Sequence, residues 1–436
     1  MKRFLVRIKN GIIFLLHNGL VATMKKTVNS LDRMWNKPLF LVVEDAEALA
    51  KAVYLPSDRK LKSASRVVRV LKTVDNWRNW SANGKETCLF VAVYFDGGYG
   101  DYLMSANFFE YFREKFAGPD VYFDFYGADW LKDVYNFEIP NLRLLSHSDF
   151  AFDYAGSGYD LVFKIAKRNQ LIYADEERIE EISPSLFEYV QLCKKYIREN
   201  QKIFDANPRL DGLTSAESER LGRKRIQEPD IYGYFGVGID FKIRIQINED
   251  EDAYLDSIGL GKQKFILVHR GWCSAEDKGE NVKVWSLESC GDLIPRFKQC
   301  FPDYKIVLFG ELASQAPRSD GADLNLLEKT TLDQAKVLLK HASLLVDNEG
   351  GMVHLRHALK GGPSVVLFGP TSKAVFGYPE NENISSSACD HWCEWQIPDW
   401  QYVCARLGKP GHPCMDAIRM EDVLAAAHRI LDRGAV

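Results

Sequence analysis

The chain has 436 residues, of which 46% are hydrophobic, 27% charged and 12% aromatic. This length predicts two domains plus additional chain, and the composition is that of a globular protein with enough apolar residues for two cores. Lys and Arg number 56 against 60 Asp and Glu, giving a net charge of -4. A chain without an overall basic field is not expected to bind nucleic acid.

Residues 1–85 are interpreted as a mainly helical extension, with helical periodicity at 45–54 and 63–74. The apolar run at 11–24 follows basic residues, but it is too short to span a membrane and lacks a signal cleavage site. We therefore expect a cytoplasmic protein with reduced thiols. The run predicts either a helix packed on the protein's own body or a peripheral helix at a membrane surface.

The segment 86–250 is predicted to be an N-terminal Rossmann-like domain. An apolar run at 88–95 is typical of a strand buried on both faces, and a glycine-rich turn and a helix at 102–116 follow it. Further strands are expected at 121–126 and 160–165, and a helix at 184–200. Residues 207–230 are polar and predict a connection with some helix.

The segment 260–420 is predicted to be a second Rossmann-like domain, followed by a C-terminal helix in 421–436. Its apolar runs predict strands at 264–269, 304–309, 344–346 and 364–368. Helices are expected between them, at 287–301, 332–341 and 352–359. Alternating strands and helices indicate a parallel sheet covered on both faces. The fold class is therefore α/β, with two Rossmann-like domains facing each other across a ligand cleft.

Two glycine turns at the ends of strands predict a nucleotide site in the second domain. Gly350 and Gly351 open a helix, whose N-terminal N–H groups suit a diphosphate, and Glu349 could accept from a sugar hydroxyl. Gly369 and Thr371 follow a neighbouring strand, and Thr371 offers a hydroxyl. The alternative is a tight turn in which a glycine adopts a positive φ.

Cations in the loop after the first strand of this domain could neutralise a departing diphosphate. Arg270, Lys278 and Lys283 are the candidates, and Lys283 is preferred because it lies beside Trp285 at a helix start. Each could equally be an ordinary surface charge.

Asp101, at the glycine-rich turn of the first domain, is either a catalytic base for an acceptor hydroxyl or a helix cap. Asp96 is a weaker alternative for the base.

Four cysteines lie close together near the C-terminus: Cys389, Cys393, Cys404 and Cys414. Four thiolates could enclose zinc or iron in a tetrahedral structural site, with His391 or His412 replacing one of them. The alternative is a set of reduced or partly disulfide-bonded cysteines in an aromatic-rich loop.

These motifs together resemble family 9 glycosyltransferases, the bacterial heptosyltransferases. His354-Leu355 and the turn at 368–371 match the family pattern directly, and Glu349 stands where the family has aspartate. The turn at 98–101 resembles its Gly-x-Gly-Asp step, and the tripeptide at 283–285 its Lys-x-Trp step. The spaced cysteines are similar to those at the end of the family pattern.

The resemblance implies a GT-B fold and an inverting transfer without a catalytic metal. It implies ADP-heptose as the first-choice donor and a hydroxyl of a bacterial surface glycan, such as lipopolysaccharide, as acceptor. It carries the base role to Asp101, the phosphate role to Lys283 and donor contacts to Glu349 and Thr371. Arg270, Gly350, Gly351, His354 and Gly369 complete the expected donor site.

Some relatives glycosylate autotransporter adhesins and carry iron bound by such cysteines. A Ser or Thr hydroxyl of a protein is therefore an alternative acceptor. A homo-oligomeric assembly is also an open alternative. Two other functions are also open: a nucleotide-sugar epimerase of the same fold, and a non-catalytic scaffold with a degenerate donor site. The Glu349 departure favours the scaffold.

Overall fold

The computed structural model describes residues 88–95, 97–118, 120–127, 142–146, 159–204, 212–270, 283–285, 287–310, 321–389, 391–397, 400, 402–410 and 413–433. The expected N-terminal extension, its apolar run, Asp96 and Lys278 lie outside these residues. No helix within them is both long and apolar enough to cross a membrane. Both sheets described below belong to one compact unit, residues 87–147 and 159–436.

The first half forms a five-stranded sheet with order β3-β2-β1-β4-β5, in which only the β4–β5 pair is antiparallel. Its strands are β1 (Leu89–Phe95), β2 (Val121–Gly127), β3 (Leu142–Ser146), β4 (Leu161–Ile165) and β5 (Asn169–Ala174). Its helices are α1 (Tyr99–Phe116), α2 (Glu176–Ile182), α3 (Pro184–Glu199) and α4 (Gln201–Phe204).

Helix α1 is buried on nearly all sides, as a helix between two cores must be. Phe108, Phe109 and Phe112 pack into the core of the first sheet. Leu103 and Met104 belong instead to a core that the second sheet builds. Each fully buried side chain of this size contributes roughly 1.5–3 kcal/mol of transfer free energy, so α1 couples the two halves strongly.

The connection between the sheets contains α5 (Gly212–Arg220), a 3-10 segment (Arg225–Asp230) and α6 (Glu251–Ser257). The 3-10 segment is buried at all six residues. A polar stretch was expected here, but not one enclosed by protein. The burial is possible because its charged side chains pair with one another and with α1, as described below.

The second half forms a six-stranded parallel sheet with order β11-β10-β9-β6-β7-β8. Its strands are β6 (Phe265–Arg270), β7 (Lys305–Gly310), β8 (Leu324–Asn325), β9 (Leu344–Asn348), β10 (Ser364–Phe368) and β11 (Glu382–Ser385). The helices are α7 (Leu287–Cys300), α8 (Leu332–His341), α9 (Gly351–Ala358), α10 (Lys373–Phe376), α11 (Pro413–Asp416) and α12 (Met420–Arg433). A hairpin, β12 (Val403–Cys404) with β13 (Lys409–Pro410), completes the elements.

The α/β class with two Rossmann-like sheets is confirmed, and the helices and strands predicted within the described residues are present with small shifts of their ends. The parallel pairing expected in the first sheet holds for β1 to β4. Strand β5 was not predicted, and it runs antiparallel to β4 at the edge of the sheet. Strand β3 was not predicted either. The division into domains at 86–250 and 260–420 stays a prediction.

Candidate active site

The predicted turn after β1 holds Asp101 in a defined orientation. One carboxylate oxygen of Asp101 accepts a hydrogen bond of 2.8 Å from the backbone N–H of Gly98, which satisfies that N–H at the start of α1. Gly97 has φ +117°, and a Cβ there would lie 2.4 Å from the Asp101 side chain. Only glycine fits at position 97, because other residues rarely adopt this positive φ and because a Cβ would clash with Asp101. The N-cap of α1 is Gly98 and Asp101 is the third helical residue, so the alternative of Asp101 as the N-cap is wrong, although its side chain does satisfy an N–H at the helix start.

The second carboxylate oxygen of Asp101 forms an ion pair with Arg225, from the 3-10 segment. Arg225 also pairs with Glu228, whose side chain is fully buried. The Asp101 side chain itself remains 33% exposed. Arg225 and Glu228 were not among the predicted site residues, because they lie in a stretch whose composition indicates only a connection.

The turn after β9 brings the start of α9 against the start of α1. Gly350 has an extended backbone, with φ 176°, so the tight turn with positive φ that was the alternative here is not formed. Gly351 is required for another reason: a Cβ there would lie 2.7 Å from the Cβ of Tyr99. Two helix N-termini thus meet, one from each sheet, and both favour negative charge.

Glu349 lies at this junction and is 4% exposed. Its carboxylate contacts Lys283 Nζ at 2.5 Å and His354 Nε2 at 3.5 Å. Burial raises the pKa of Glu349, but Lys283 and His354 outweigh burial and hold the pKa well below its ordinary value. Glu349 neutralises Lys283 in this structure, and its expected contact with a sugar hydroxyl stays a prediction.

Carboxylates from both halves of the chain act on the charge of Lys283. Burial lowers the pKa of Lys283, but three carboxylates outweigh it and raise the pKa: those of Glu349, Glu394 and Asp101. Its Nζ also lies 5.4 Å from the centre of the Trp400 ring. Lys283 therefore stays protonated, as a group that neutralises a diphosphate must be.

His354 fills the space between the two helix starts. Its Nδ1 lies 2.8 Å from the hydroxyl of Tyr378, and the residue is 3% exposed. A Cβ at Gly100 would come within 2.8 Å of its ring. The ring is thus held on two sides, so the predicted His354 aligns Glu349 in this structure.

The second predicted glycine turn is covered by the cysteine-containing loop. The carbonyl of Pro370 accepts from the N–H groups of Cys393 and Glu394 at 2.8 and 3.0 Å. Thr371 is 3% exposed, and no described group forms a hydrogen bond with its hydroxyl. A buried hydroxyl without a partner is costly, so this position suits a ligand.

The remaining predicted donor residues lie at the same edge of the sheet. Gly369 directly follows β10, and Arg270 is the last residue of β6. This edge also holds a pair that was not predicted, His269 Nδ1 and a carboxylate oxygen of Asp347, 2.9 Å apart. Burial raises the pKa of Asp347, although His269 opposes that shift.

The cysteines are free and half-buried in the structure: Cys389, Cys393, Cys404 and Cys414. Burial raises the pKa of Cys393, and the neighbouring Cys404 and Cys389 raise it further. The thiols therefore lie near one another. Yet no three His, Cys, Asp or Glu side chains among the described residues form a group that could hold a metal ion. The expected four-thiolate metal site does not fit this arrangement and is not supported.

Residues 273–403 match the model of glycosyltransferase family 9 (heptosyltransferase). This segment is similar to the glycosyltransferase family 9 domain. The match begins ahead of Lys283 and includes both glycine turns, so the family resemblance seen in the motifs is confirmed for the donor half. The domain extends through the start of the cysteine-containing loop.

A curated relative matches part of the chain. The chain is 28% identical over 141 residues to lipopolysaccharide heptosyltransferase 2 of Escherichia coli K12. That match covers 30% of this chain and 38% of the relative, which is well under two thirds of its length.

Solved structures extend the likeness in fold to most of the chain. The iron-containing dodecameric glycosyltransferase TibC from enterotoxigenic E. coli H10407 superposes with a TM-score of 0.52 and 12% identity, covering 80% of this chain and 78% of that one. TibC in complex with ADP-D-beta-D-heptose gives a TM-score of 0.50 and 11% identity, with the same coverage. At such identities the likeness shows the GT-B fold alone.

Proposed function

We propose that this chain is an inverting glycosyltransferase that moves a heptose from ADP-heptose to a hydroxyl group, without a catalytic metal. The observation that carries the proposal is the ionic environment of Lys283. Asp101 from the first half and Glu349 from the second both act on this one ammonium. A base for the acceptor and a cation for the leaving group are thus neighbours, as sugar transfer requires.

The donor half supports a nucleotide sugar. The start of α9 offers free N–H groups and a partial positive charge, and Lys283 supplies a full one. The buried hydroxyl of Thr371, which has no hydrogen-bond partner among the described residues, adds a polar group at the neighbouring turn. ADP-heptose is the proposed donor because TibC, which shares the fold, was solved with that compound.

In the proposed reaction, the acceptor hydroxyl gives its proton to the carboxylate of Asp101. The hydroxyl oxygen forms a bond to the anomeric carbon of the heptose as the bond from that carbon to the diphosphate oxygen breaks. The electron pair leaves with ADP, and Lys283 with the start of α9 stabilises its charge. Attack opposite the leaving group inverts the anomeric centre.

The donor must also change the Lys283 pairing. Glu349 neutralises Lys283 in this structure, so a diphosphate has to share or displace that carboxylate. Displacement would bring Glu349 free beside the donor sugar. The carboxylate would then accept from a sugar hydroxyl, which is the role that the family resemblance implies.

A donor panel with Asp101 variants tests the proposal. Purified full-length chain is incubated with ADP-, UDP- and GDP-sugars, and nucleoside diphosphate release is measured with and without acceptor. Asp101→Asn keeps an oxygen for the Gly98 N–H but removes the base, so turnover should fall by about 10²–10⁴-fold while ADP-heptose still binds. Asp250→Asn is the matched control, because Asp250 caps α6 through the N–H of Ala253.

Near wild-type turnover by Asp101→Asn would refute the base assignment. Release of an altered nucleotide sugar without acceptor would instead reveal an epimerase. No nucleotide-sugar binding by calorimetry would favour the scaffold. Lipid-linked core glycans and Ser/Thr-containing adhesin peptides, offered separately, distinguish a surface-glycan acceptor from a protein acceptor.

A further inference from the structure

Arg225 is an arginine enclosed between the two sheets, with a side chain only 4% exposed. It lies on the 3-10 segment of the connection, and its guanidinium lies 5.6 Å from the centre of the Phe376 ring in the second half. Enclosing a cation costs several kcal/mol unless carboxylates and hydrogen bonds offset the loss of water. The carboxylates around Arg225 therefore have to account for a buried arginine at this position.

Two different carboxylates occupy the two ends of the guanidinium. Nη1 contacts Glu228 and Nη2 contacts Asp101. The planar fork of arginine can hold both in fixed directions, whereas the single ammonium of lysine cannot. Arg225 thus ties the start of α1 to the connecting segment.

The Glu228 end of this contact is itself held by buried groups. Glu228 is fully buried, and its other oxygen accepts from the Ser215 hydroxyl at 3.1 Å. Ser215 in turn accepts from Lys167 Nζ at 3.2 Å. Because Glu228 is held from behind, it sets the plane of Arg225, and Arg225 sets the plane of Asp101.

Without Arg225, the orientation of the Asp101 carboxylate plane would not be fixed. The hydrogen bond from Gly98 fixes one oxygen only, so the group could turn about its Cβ–Cγ bond. With Arg225 both oxygens have partners, while a third of the side chain stays open to a reactant. An oriented but accessible carboxylate is what proton transfer from an incoming hydroxyl needs.

We propose that Arg225 is a positioning residue for transfer, holding the Asp101 carboxylate in the direction from which it takes the acceptor proton. This role rests on the proposed function, in which Asp101 is the base. Arg225 does not itself touch the donor in this role. Its loss should therefore lower kcat and leave the KM for the donor nearly unchanged.

The test compares Arg225→Ala and Arg225→Lys with wild type, using a series of ADP-heptose concentrations up to saturation and the acceptor found in the panel, so that kcat and the donor KM are both measured. A misplaced catalytic group typically costs about 10²-fold, so kcat of Arg225→Ala should fall by that order. Arg225→Lys keeps the charge but not the fork, and should fall less. Arg220→Ala is the control, since this exposed arginine pairs only with Glu217 on α5 among the described residues.

Added guanidinium ion separates positioning from a general effect on folding. It should restore part of kcat to Arg225→Ala and none to Asp101→Asn, because only the former keeps the carboxylate that it would orient. An Arg225→Ala kcat equal to wild type, or a loss confined to the donor KM, overturns the role. If Arg225→Ala does not fold, the folded Arg225→Lys variant with wild-type kcat overturns it equally.

The two proposals fail differently. If wild type turns over no nucleotide sugar, the proposed function is refuted, and this role is refuted with it. If wild type is active and Asp101→Asn is not, but both Arg225 variants match wild type, the positioning role alone is refuted.

Discussion

Replacing Lys283 with methionine removes the cation that neutralises the buried Glu349. The two side chains are 18% and 4% exposed, and their charged atoms are 2.5 Å apart. Removing one partner of a buried pair typically costs 3–5 kcal/mol, because the other charge is left in a medium of low polarity. Since Lys283 is partly exposed and His354 still faces Glu349, we expect the lower end, about 3 kcal/mol.

The double variant separates loss of the pair from loss of the carbon chain. Lys283→Met with Glu349→Gln removes both charges of the pair, so it should recover most of the stability that Lys283→Met alone loses. Urea unfolding followed by tryptophan fluorescence at pH 7 measures the free energies. If Lys283→Met costs under about 1 kcal/mol, or the double variant is no more stable than Lys283→Met, the buried-pair interpretation is wrong.

The pH dependence of the same pair has a definite sign. The pKa of Glu349 is lowered in the folded chain, so its stabilisation is present above the ordinary value of 4.5 and is lost as the pH falls below it. The pKa of Lys283 is raised, so its contribution is present below 10.5 and is lost as the pH rises further. The stability difference between wild type and Glu349→Gln should therefore be constant from about pH 5 to 10 and shrink outside that window.

Two further predictions concern the helix junction and the cysteines. Gly351→Ala should destabilise the chain by about 1–3 kcal/mol, because its Cβ would lie 2.7 Å from that of Tyr99. Gly118→Ala is the control, since its Cβ has open space and the change should be neutral. Equal melting temperatures of the two variants would contradict this packing. Burial, with its cysteine neighbours, raises the pKa of Cys414 to about 11. Its alkylation at pH 8 should therefore be roughly 100-fold slower than that of an ordinary cysteine, and the rate should rise with pH. Peptide mass spectrometry should find the exposed Cys300 modified before Cys414. Equal rates for the two would exclude the buried environment of Cys414.

The sheets could largely be predicted from sequence because their central strands are buried on both faces. Strands β1 and β10 read as continuous apolar runs, and their predicted ends differ from the observed ones by at most one residue. Strand β5 lacks such a run, since this edge strand leaves five of its six residues partly or fully exposed. Its antiparallel direction depends on pairing with β4, which no local pattern encodes.

The site was predictable in its parts but not in its pairings. Glycines at the ends of strands mark the turns, because close approach of two helices excludes a Cβ there, as at Gly351. The ion pair between Arg225 and Asp101 joins residues 124 apart in sequence. In the sequence, Arg225 is one charge in a polar stretch, and only the enclosure of that stretch between two sheets gives it a specific role.

The Glu349 departure acquires a physical reason from these pairings. The carboxylate reaches Lys283 and His354 at once, at 2.5 and 3.5 Å. An aspartate would withdraw it by one carbon–carbon bond, about 1.5 Å, and could not keep both contacts without movement of the backbone. The longer side chain therefore favours a state in which Lys283 is already neutralised before a donor arrives. A degenerate site would not need this match, because an unused lysine and glutamate gain little from being buried together. The departure is thus better explained by the proposed donor site, whose cation is held in place until a diphosphate competes for it, than by a scaffold.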